Sequence, residues 1–282
     1  MNRRIAVLSA LTLSLLLSAC SKDKDDDAAD DVQVQAQAEA TAEGESAPAD
    51  DAPAPPPPRI QYWPVLGPLV AGSYSGSCMR KPDLGKTDAT ITVGADGKAA
   101  SNGLALDFGE APKVSLMRVR DDKGAYGTSA MFAMRPEKDG FLNVSSLDGG
   151  TVSIERENTG LMCSKVGGTD KLNSQPLHLA LAGLINGKTQ TVGCRDLANI
   201  MVVRDVDVGI EGSVIRIGDA AYDMKLAATE MVSFDEAGES MSLSVIMADQ
   251  STAQLIYDGA GALTHVNARN KTEATHACEQ KR

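Results

Sequence analysis

Histidine, the residue best suited to acid–base and metal chemistry near neutral pH, is rare in this sequence. The chain has three histidines: His178, His265 and His276. His276 lies two residues before Cys278, a spacing that does not match known zinc motifs, and disulfide formation competes for the cysteine. The stretch "RDVDVGIEG" (204–212) brings Asp205, Asp207 and Glu211 close together. We interpret it as a strand with an acidic face in solvent, and the alternative is a metal-binding or hydrolytic enzyme that uses these acids or His276.

Nucleophile and phosphate-binding motifs are missing from the sequence. "GESMS" (238–242) begins like a nucleophile elbow, but Ser242 stands where the second glycine belongs. We expect a hairpin turn there that leads into a strand. The sequence contains no His-Glu-x-x-His, P-loop or Gly-x-Gly-x-x-Gly pattern. We therefore predict no catalytic residues, no metal and no cofactor.

The N-terminus has the features of an export signal. Arg3 and Arg4 precede residues 5–17, which are apolar apart from Thr12 and two serines. Thirteen residues are too few to cross a bilayer, but they suit the core of a signal peptide. Small residues then lead to a cysteine in the sequence Leu17-Ser18-Ala19-Cys20. This stretch resembles the lipobox of bacterial lipoproteins.

The lipobox resemblance implies a location and an anchor. It implies that residues 1–19 are removed by cleavage between Ala19 and Cys20, and that Cys20 then carries a diacylglycerol and an acyl chain. Ser21 follows, and in enteric bacteria a serine there accompanies sorting to the outer membrane. Several acyl chains on one residue hold a protein at a bilayer durably. We expect a lipid-anchored envelope protein, most simply in the outer membrane and facing the periplasm.

The segment after the lipobox differs sharply in composition from the remainder. Residues 21–59 contain 11 acidic and three basic residues, and Val32 and Val34 are their large aliphatic side chains. Such a composition buries too little apolar surface to offset the entropy of ordering. We predict a disordered acidic and proline-rich tether over 20–62. The remaining chain carries a net charge of −5 without a basic stripe, which argues against a nucleic-acid partner.

The four other cysteines, Cys78, Cys163, Cys194 and Cys278, suggest two disulfides in an exported chain. Four cysteines allow three pairings. Their separations repeat: the first and second cysteines are 85 positions apart and the third and fourth 84, while the first and third are 116 apart and the second and fourth 115. A tandem duplication produces this pattern. It favours Cys78–Cys163 and Cys194–Cys278, each of which joins the first strand of a repeat to its last.

Alternating apolar residues and turn dipeptides predict strands throughout the body of the chain. "DATITV" (88–93) alternates, and Asn102-Gly103 and Asp148-Gly149 are typical of tight hairpins. The expected fold is all-β: two tandem antiparallel β-sandwich or β-barrel domains, each closed by one disulfide, at 63–166 and 176–282. The segment "PLHLALAGLI" (176–185) fits either a helix or an entry strand.

Function is less specified than location. We expect a non-enzymatic lipoprotein that binds or braces an envelope protein or the cell wall. An alternative is a likeness to small periplasmic lysozyme inhibitors, because "KGAYG" (123–127) and "GDAAYD" (218–223) place a tyrosine near a turn. The Ser-Gly pattern that precedes the loop tyrosine of that family is missing here. Tyr62 and Trp63 form the one obvious sugar-stacking pair, although we expect Trp63 to dock on the first domain.

Overall fold

The structure is a computed structural model that describes residues 55–111, 113–134, 139–174, 184–185, 189–197, 199 and 201–280. The predicted signal peptide, Ala19, Cys20 and most of the predicted tether lie outside the described residues. His178 and most of the 176–185 segment also lie outside them. In the described part the chain is nearly all antiparallel strand, which confirms the all-β prediction.

The described residues form one short α-helix and eighteen strands. The helix α1 spans Trp63–Val70. In chain order the strands are β1 (Gly72–Lys81), β2 (Gly85–Val93), β3 (Lys98–Ser101), β4 (Leu104–Asp107), β5 (Lys113–Arg120), β6 (Tyr126–Ala133), β7 (Phe141–Ser145), β8 (Thr151–Arg156), β9 (Thr159–Ser164), β10 (Gln190–Arg195), β11 (Val203–Glu211), β12 (Val214–Ile217), β13 (Ala220–Asp223), β14 (Ala227–Asp235), β15 (Ser240–Met247), β16 (Thr252–Asp258), β17 (Leu263–Arg269) and β18 (Ala274–Glu279).

The pairing of the strands divides the sheet into two halves with the same order. In the first half the order is β4-β3-β2-β1-β9-β8-β7-β6-β5. In the second half it is β13-β12-β11-β10-β18-β17-β16-β15-β14. Each strand of the first half therefore has its equivalent in the second half, nine strands later in the chain. This shared order supports the tandem duplication inferred from the cysteine spacing.

The two halves join into one antiparallel sheet through the equivalent strands β5 and β14. At the centre of this ladder Leu116 pairs with Val232, which lies 116 positions later, the same offset that separates Cys78 from Cys194. The ladder is thus nearly self-complementary. A division of the chain into two domains stays a prediction, and the described strands form one continuous sheet.

The two ends of the β5–β14 ladder hold different side chains at equivalent positions. At one end Arg118 and Glu230 form a buried ion pair with 3.2 Å between Nη1 and Oε2, and the guanidinium lies 3.7 Å from the ring centre of Tyr126. At the other end the paired residues are Val114 and Phe234, both fully buried. One end is therefore joined by charge and the other by apolar packing.

Both predicted disulfides are present. Cys78 of β1 is bonded to Cys163 of β9, and Cys194 of β10 is bonded to Cys278 of β18. Each bond connects the first and the last strand of its half, as the sequence repeat predicted. The cysteines face each other across adjacent strands, so each bond crosslinks a pair that the ladder already aligns.

The chain that precedes β1 packs against the sheet. Ile60 and Tyr62, within the predicted tether, are buried, and the Ile60 amide donates to the Gly238 carbonyl at 2.8 Å. Trp63 stacks on Phe132 with ring centres 5.0 Å apart, which confirms its predicted docking on the first half. Tyr62 is buried and Trp63 half-buried, so neither ring is an open sugar platform.

The helix α1 is apolar and short, and its buried side chains include Leu66, Leu69 and Val70. Pro64 lies in the first turn of the helix, where backbone N–H groups have no acceptor within the helix. The missing N–H of proline therefore costs no helical hydrogen bond. In the described part of the chain, no helix is long and apolar enough to cross a membrane. At the predicted boundary, residues 169–173 form a 3₁₀ turn in which Leu172 is fully buried.

Candidate functional site

The acidic run on β11 is a solvent-facing strand, as the sequence predicted. Asp205, Asp207 and Glu211 are exposed on one face. The Thr191 hydroxyl donates to Asp207 at 2.6 Å, and the Arg216 guanidinium donates to Glu211 at 2.8 Å. In the described residues no group of three histidine, cysteine or acidic side chains could hold a metal ion.

The tyrosines of the inhibitor interpretation have structural partners. The Tyr126 hydroxyl donates to the carbonyl oxygens of Lys225 and Ala227 at 3.0 and 3.3 Å, so it ties the first half to the second. Tyr222 is buried. "GESMS" forms the predicted hairpin between β14 and β15, and Ser242 lies on the strand and accepts a bond from Gln254.

The described surface has a cleft of about 340 Å³ beside the Cys194–Cys278 disulfide. We call it the His276 cleft. Its lining consists of Cys194, Arg195, Asp196, Leu197, Arg204, Val206, Thr275 and His276. A cleft of this size is large enough for a small ligand. His265, in contrast, lies exposed on β17.

The cleft exists because one ladder of the second half is short. In the first half β1 and β9 pair over five residues, from Ser77↔Ser164 to Lys81↔Gly160. In the second half β10 and β18 pair over two, Gly193↔Glu279 and Cys194↔Cys278. After Arg195 the chain leaves β18, and the next strand, β11, begins at Val203. Around His276, the edge of β18 is therefore not paired with β10.

Side chains at equivalent positions show the same divergence. Leu161 and His276 each lie two residues before the closing cysteine of their half. Leu161 is buried and faces Ile154 across the ladder. His276 faces Ala268 instead. The second half thus has a polar ring and a small side chain where the first half has two large aliphatic ones, which removes apolar filling from the site.

The charges in the cleft leave one cation available. Arg204 donates to Asp196 at 2.7 Å, so this pair is neutral overall. Arg195 is exposed at the end of β10 and has no ion-pair partner in the described part of the chain. Burial lowers the pKa of His276, which favours its neutral form near pH 7. The cleft therefore carries about one net positive charge.

Two polar atoms of the cleft residues are buried and have no hydrogen-bond partner among the residues that the structure describes. They are Nδ1 of His276 and Oγ1 of Thr275. Leaving such a group unsatisfied costs about 1–3 kcal/mol, and most buried polar groups in folded proteins have a partner. The equivalent positions of the first half, Leu161 and Gly160, have no polar side-chain atom to satisfy. At these two positions the second half thus has unsatisfied polar atoms, whereas the first half has none to satisfy.

Exposed apolar residues follow Arg195 in the chain, and one of them, Leu197, lines the cleft. Leu197, Met201, Val202 and Val203 are all exposed, Met201 to 86%. Contiguous exposed apolar residues are typical of interaction sites. The equivalent connection between β1 and β2 consists of residues 82–84 and exposes Leu84. The larger apolar surface is therefore on the half that has the open cleft.

Comparison with known proteins gives no relative. No protein-family model, curated protein or solved structure matches this chain. The candidate site therefore depends on its own geometry, and above all on the contrast between the two halves.

Sequence reasoning identified part of this site. It singled out His276 and its closeness to Cys278, although as a candidate metal ligand. It did not identify Arg195, Arg204 or Thr275. The signal that could have found them is the repeat itself, because aligning the closing cysteines places His276 on Leu161 and Thr275 on Gly160.

Proposed function

We propose that this protein is a lipid-anchored, non-enzymatic protein of the bacterial envelope that binds another envelope component through the His276 cleft. The observation that carries this proposal is the contrast between equivalent positions: an open, polar cleft of about 340 Å³ around His276 in one half, and a smaller pocket of about 170 Å³ beside the buried Leu161 in the other. The second half keeps the strand order and the disulfide of the first half but is less well packed at one place. Such a local loss of packing is typical of a binding site.

The proposed location is supported by the sequence. Leu17-Ser18-Ala19-Cys20 follows a short apolar segment with two arginines before it. Two disulfides, each joining the ends of a half, suit an oxidising compartment such as the periplasm. The acidic stretch between Cys20 and the sheet provides a spacer between the bilayer and the binding site.

The anchor is tested with Cys20→Ser in the full-length chain. The natural chain should fractionate with membranes, and its mature N-terminal peptide should have the mass of an acylated cysteine. The Cys20→Ser variant should lose the acyl mass. A natural chain without acylation would contradict the anchoring part of the proposal, whichever ligand the cleft binds.

The binding site is tested by crosslinking in living cells. A photoreactive amino acid at Leu197 places the probe on the rim of the His276 cleft. The same amino acid at Lys81 is the matched control, because Lys81 occupies the equivalent position of the first half and is similarly exposed. A crosslinked product from position 197 and none from 81 is expected. Equal products from both, or none from 197, would contradict the assignment of the site.

A further inference from the structure

The chemistry of the His276 cleft also indicates what it binds. Arg195 supplies one guanidinium without an ion-pair partner in the described residues, whereas the charge of Arg204 is offset by Asp196. A site with one net positive charge favours a ligand with one negative charge. Guanidinium groups match the planar, two-oxygen geometry of a carboxylate particularly well.

Thr275 and His276 also line the cleft and bring hydrogen-bonding side chains to such a ligand. The Thr275 hydroxyl can donate or accept, and a neutral imidazole has one donor and one acceptor nitrogen. A carboxylate offers about four acceptor positions, and a peptide amide adds a donor. A short peptide end can therefore satisfy a hydroxyl, a ring nitrogen and a guanidinium together.

The remaining walls are apolar. Leu197 and Val206 line the cleft together with the sulfur of Cys194. Ala268 faces His276 across the ladder and leaves room that Ile154 occupies in the first half. A small apolar side chain next to the carboxylate fits these walls, and the volume of about 340 Å³ suits one or two residues.

We propose that the His276 cleft binds the free α-carboxylate end of a short peptide whose last residue has a small apolar side chain. Arg195 pairs with the carboxylate, Thr275 and His276 hydrogen-bond to the peptide end, and Leu197 and Val206 contact its side chain. This ligand class deepens the proposed function and rests on it. In an envelope, such an end belongs to a cell-wall stem peptide or to the C-terminus of a protein.

The test is a calorimetric titration of the full-length chain, purified in detergent, with N-acetyl-alanyl-alanine and with its C-terminal amide. The acid should bind and the amide should bind at least about tenfold more weakly, because loss of a charge-assisted hydrogen bond costs about 1.5–3 kcal/mol. Equal binding of the acid and the amide, or no binding of either, would overturn the proposal. Parallel titrations with the D,D and L,L forms distinguish the cell-wall source from the protein source.

Three variants locate the binding. Arg195→Gln should weaken binding of the acid about tenfold, and His276→Leu, which installs the side chain of Leu161, should weaken it at least as much. Arg80→Gln is the control, because it removes an exposed arginine from the pocket at the equivalent place in the first half. It should bind like the natural chain. Equal losses in Arg80→Gln and Arg195→Gln would overturn the assignment.

Failure of this inference is distinguishable from failure of the proposed function. If crosslinking from position 197 succeeds but the acid does not bind, the cleft is a binding site for another ligand class, and the carboxylate proposal is wrong. If the acid binds but crosslinking fails, the ligand chemistry stands and the envelope partner is wrong.

Discussion

The two halves of the sheet show which features of a repeat are retained and which diverge. Both retain nine strands in the same order and a disulfide between the first and the last. They diverge where β1 and β10 end, because β1 continues beside β9 and β10 turns away from β18. The retained features support the shared architecture. The divergent site carries an arginine and two polar atoms that have no partner among the described residues, together with exposed apolar side chains.

A second comparison lies within the ladder that joins the halves. An exchange of its strands would superpose the Arg118–Glu230 pair on the Val114–Phe234 pair. The first pair is covered by Tyr126, and the second by Tyr62, whose ring centre is 4.9 Å from that of Phe234. A tyrosine therefore packs at both ends of the ladder, against an ion pair at one end and against an apolar pair at the other.

Removal of a disulfide should have the largest effect on the free energy of unfolding, and it tests whether the two disulfides are equivalent. Cys78→Ala with Cys163→Ala should lower the free energy of unfolding by about 4.5 kcal/mol, because it frees a loop spanning 85 positions. Cys194→Ala with Cys278→Ala frees 84 positions and should cost the same. Denaturant titration under non-reducing conditions measures both. Losses that differ by more than about 2 kcal/mol would show that the halves do not depend equally on their disulfides.

The buried ion pair gives the next effect. Glu230→Gln leaves the Arg118 charge buried without its partner and should cost about 3 kcal/mol in the free energy of unfolding. Replacing both residues, Arg118→Met with Glu230→Leu, should cost less than about 1 kcal/mol, because it makes this end of the ladder apolar like the other. A double variant less stable than Glu230→Gln would contradict this interpretation.

Exchanging the divergent side chains sharpens the contrast between the halves. Leu161→His places a polar ring in a buried apolar position and should lower the free energy of unfolding by about 2 kcal/mol. His276→Leu removes the unpartnered Nδ1 and should leave stability unchanged or raise it by about 1 kcal/mol. Thermal unfolding of the two variants provides the comparison. A large loss in His276→Leu would mean that the histidine stabilises the fold.

The smallest effect is a pH dependence of the second half. The lowered folded-state pKa of His276 means that the unfolded chain takes up the proton first. This contribution to stability is complete above the usual pKa of about 6.5 and is lost as the pH falls towards the lower folded value. Arg195 and Arg204 line the same cleft and disfavour a further cation, and Asp196 partly offsets them.

The corresponding measurement compares the natural chain with His276→Leu. Denaturant titrations at about pH 7.5 and 5.5 bracket the ordinary titration range of histidine. The natural chain should lose more stability on acidification than His276→Leu does. Identical losses would show that His276 is not a source of this pH dependence.

Local sequence patterns were sufficient to predict much of the fold. Alternation predicted strands, and Asn102-Gly103 adopts the positive φ angles, 45° and 84°, that its hairpin requires. The cysteine separations predicted both disulfides. These features depend on residues near in sequence or on a repeated spacing, so they can be inferred from a single chain.

Long-range features could not be inferred in the same way. Alternation in β5 and β14 marks a buried face, but it does not specify that each strand pairs with the other. The helix α1 contains Pro68 and has eight residues, which gives it little helical signal. In the sequence, Thr275 and His276 look like ordinary residues of strand β18. The cleft beside them opens because the neighbouring strand, β10, ends early, and their own sequence does not show this.

The central claim is that one of two equivalent positions has become a binding site, and backbone amide NMR of the full-length chain tests it most directly. Addition of N-acetyl-alanyl-alanine should shift the resonances of Arg195, Leu197, Thr275 and His276. It should leave those of Met79, Lys81, Gly160 and Leu161 unchanged. Equal shifts in both sets, or shifts confined to the first half, would contradict the account.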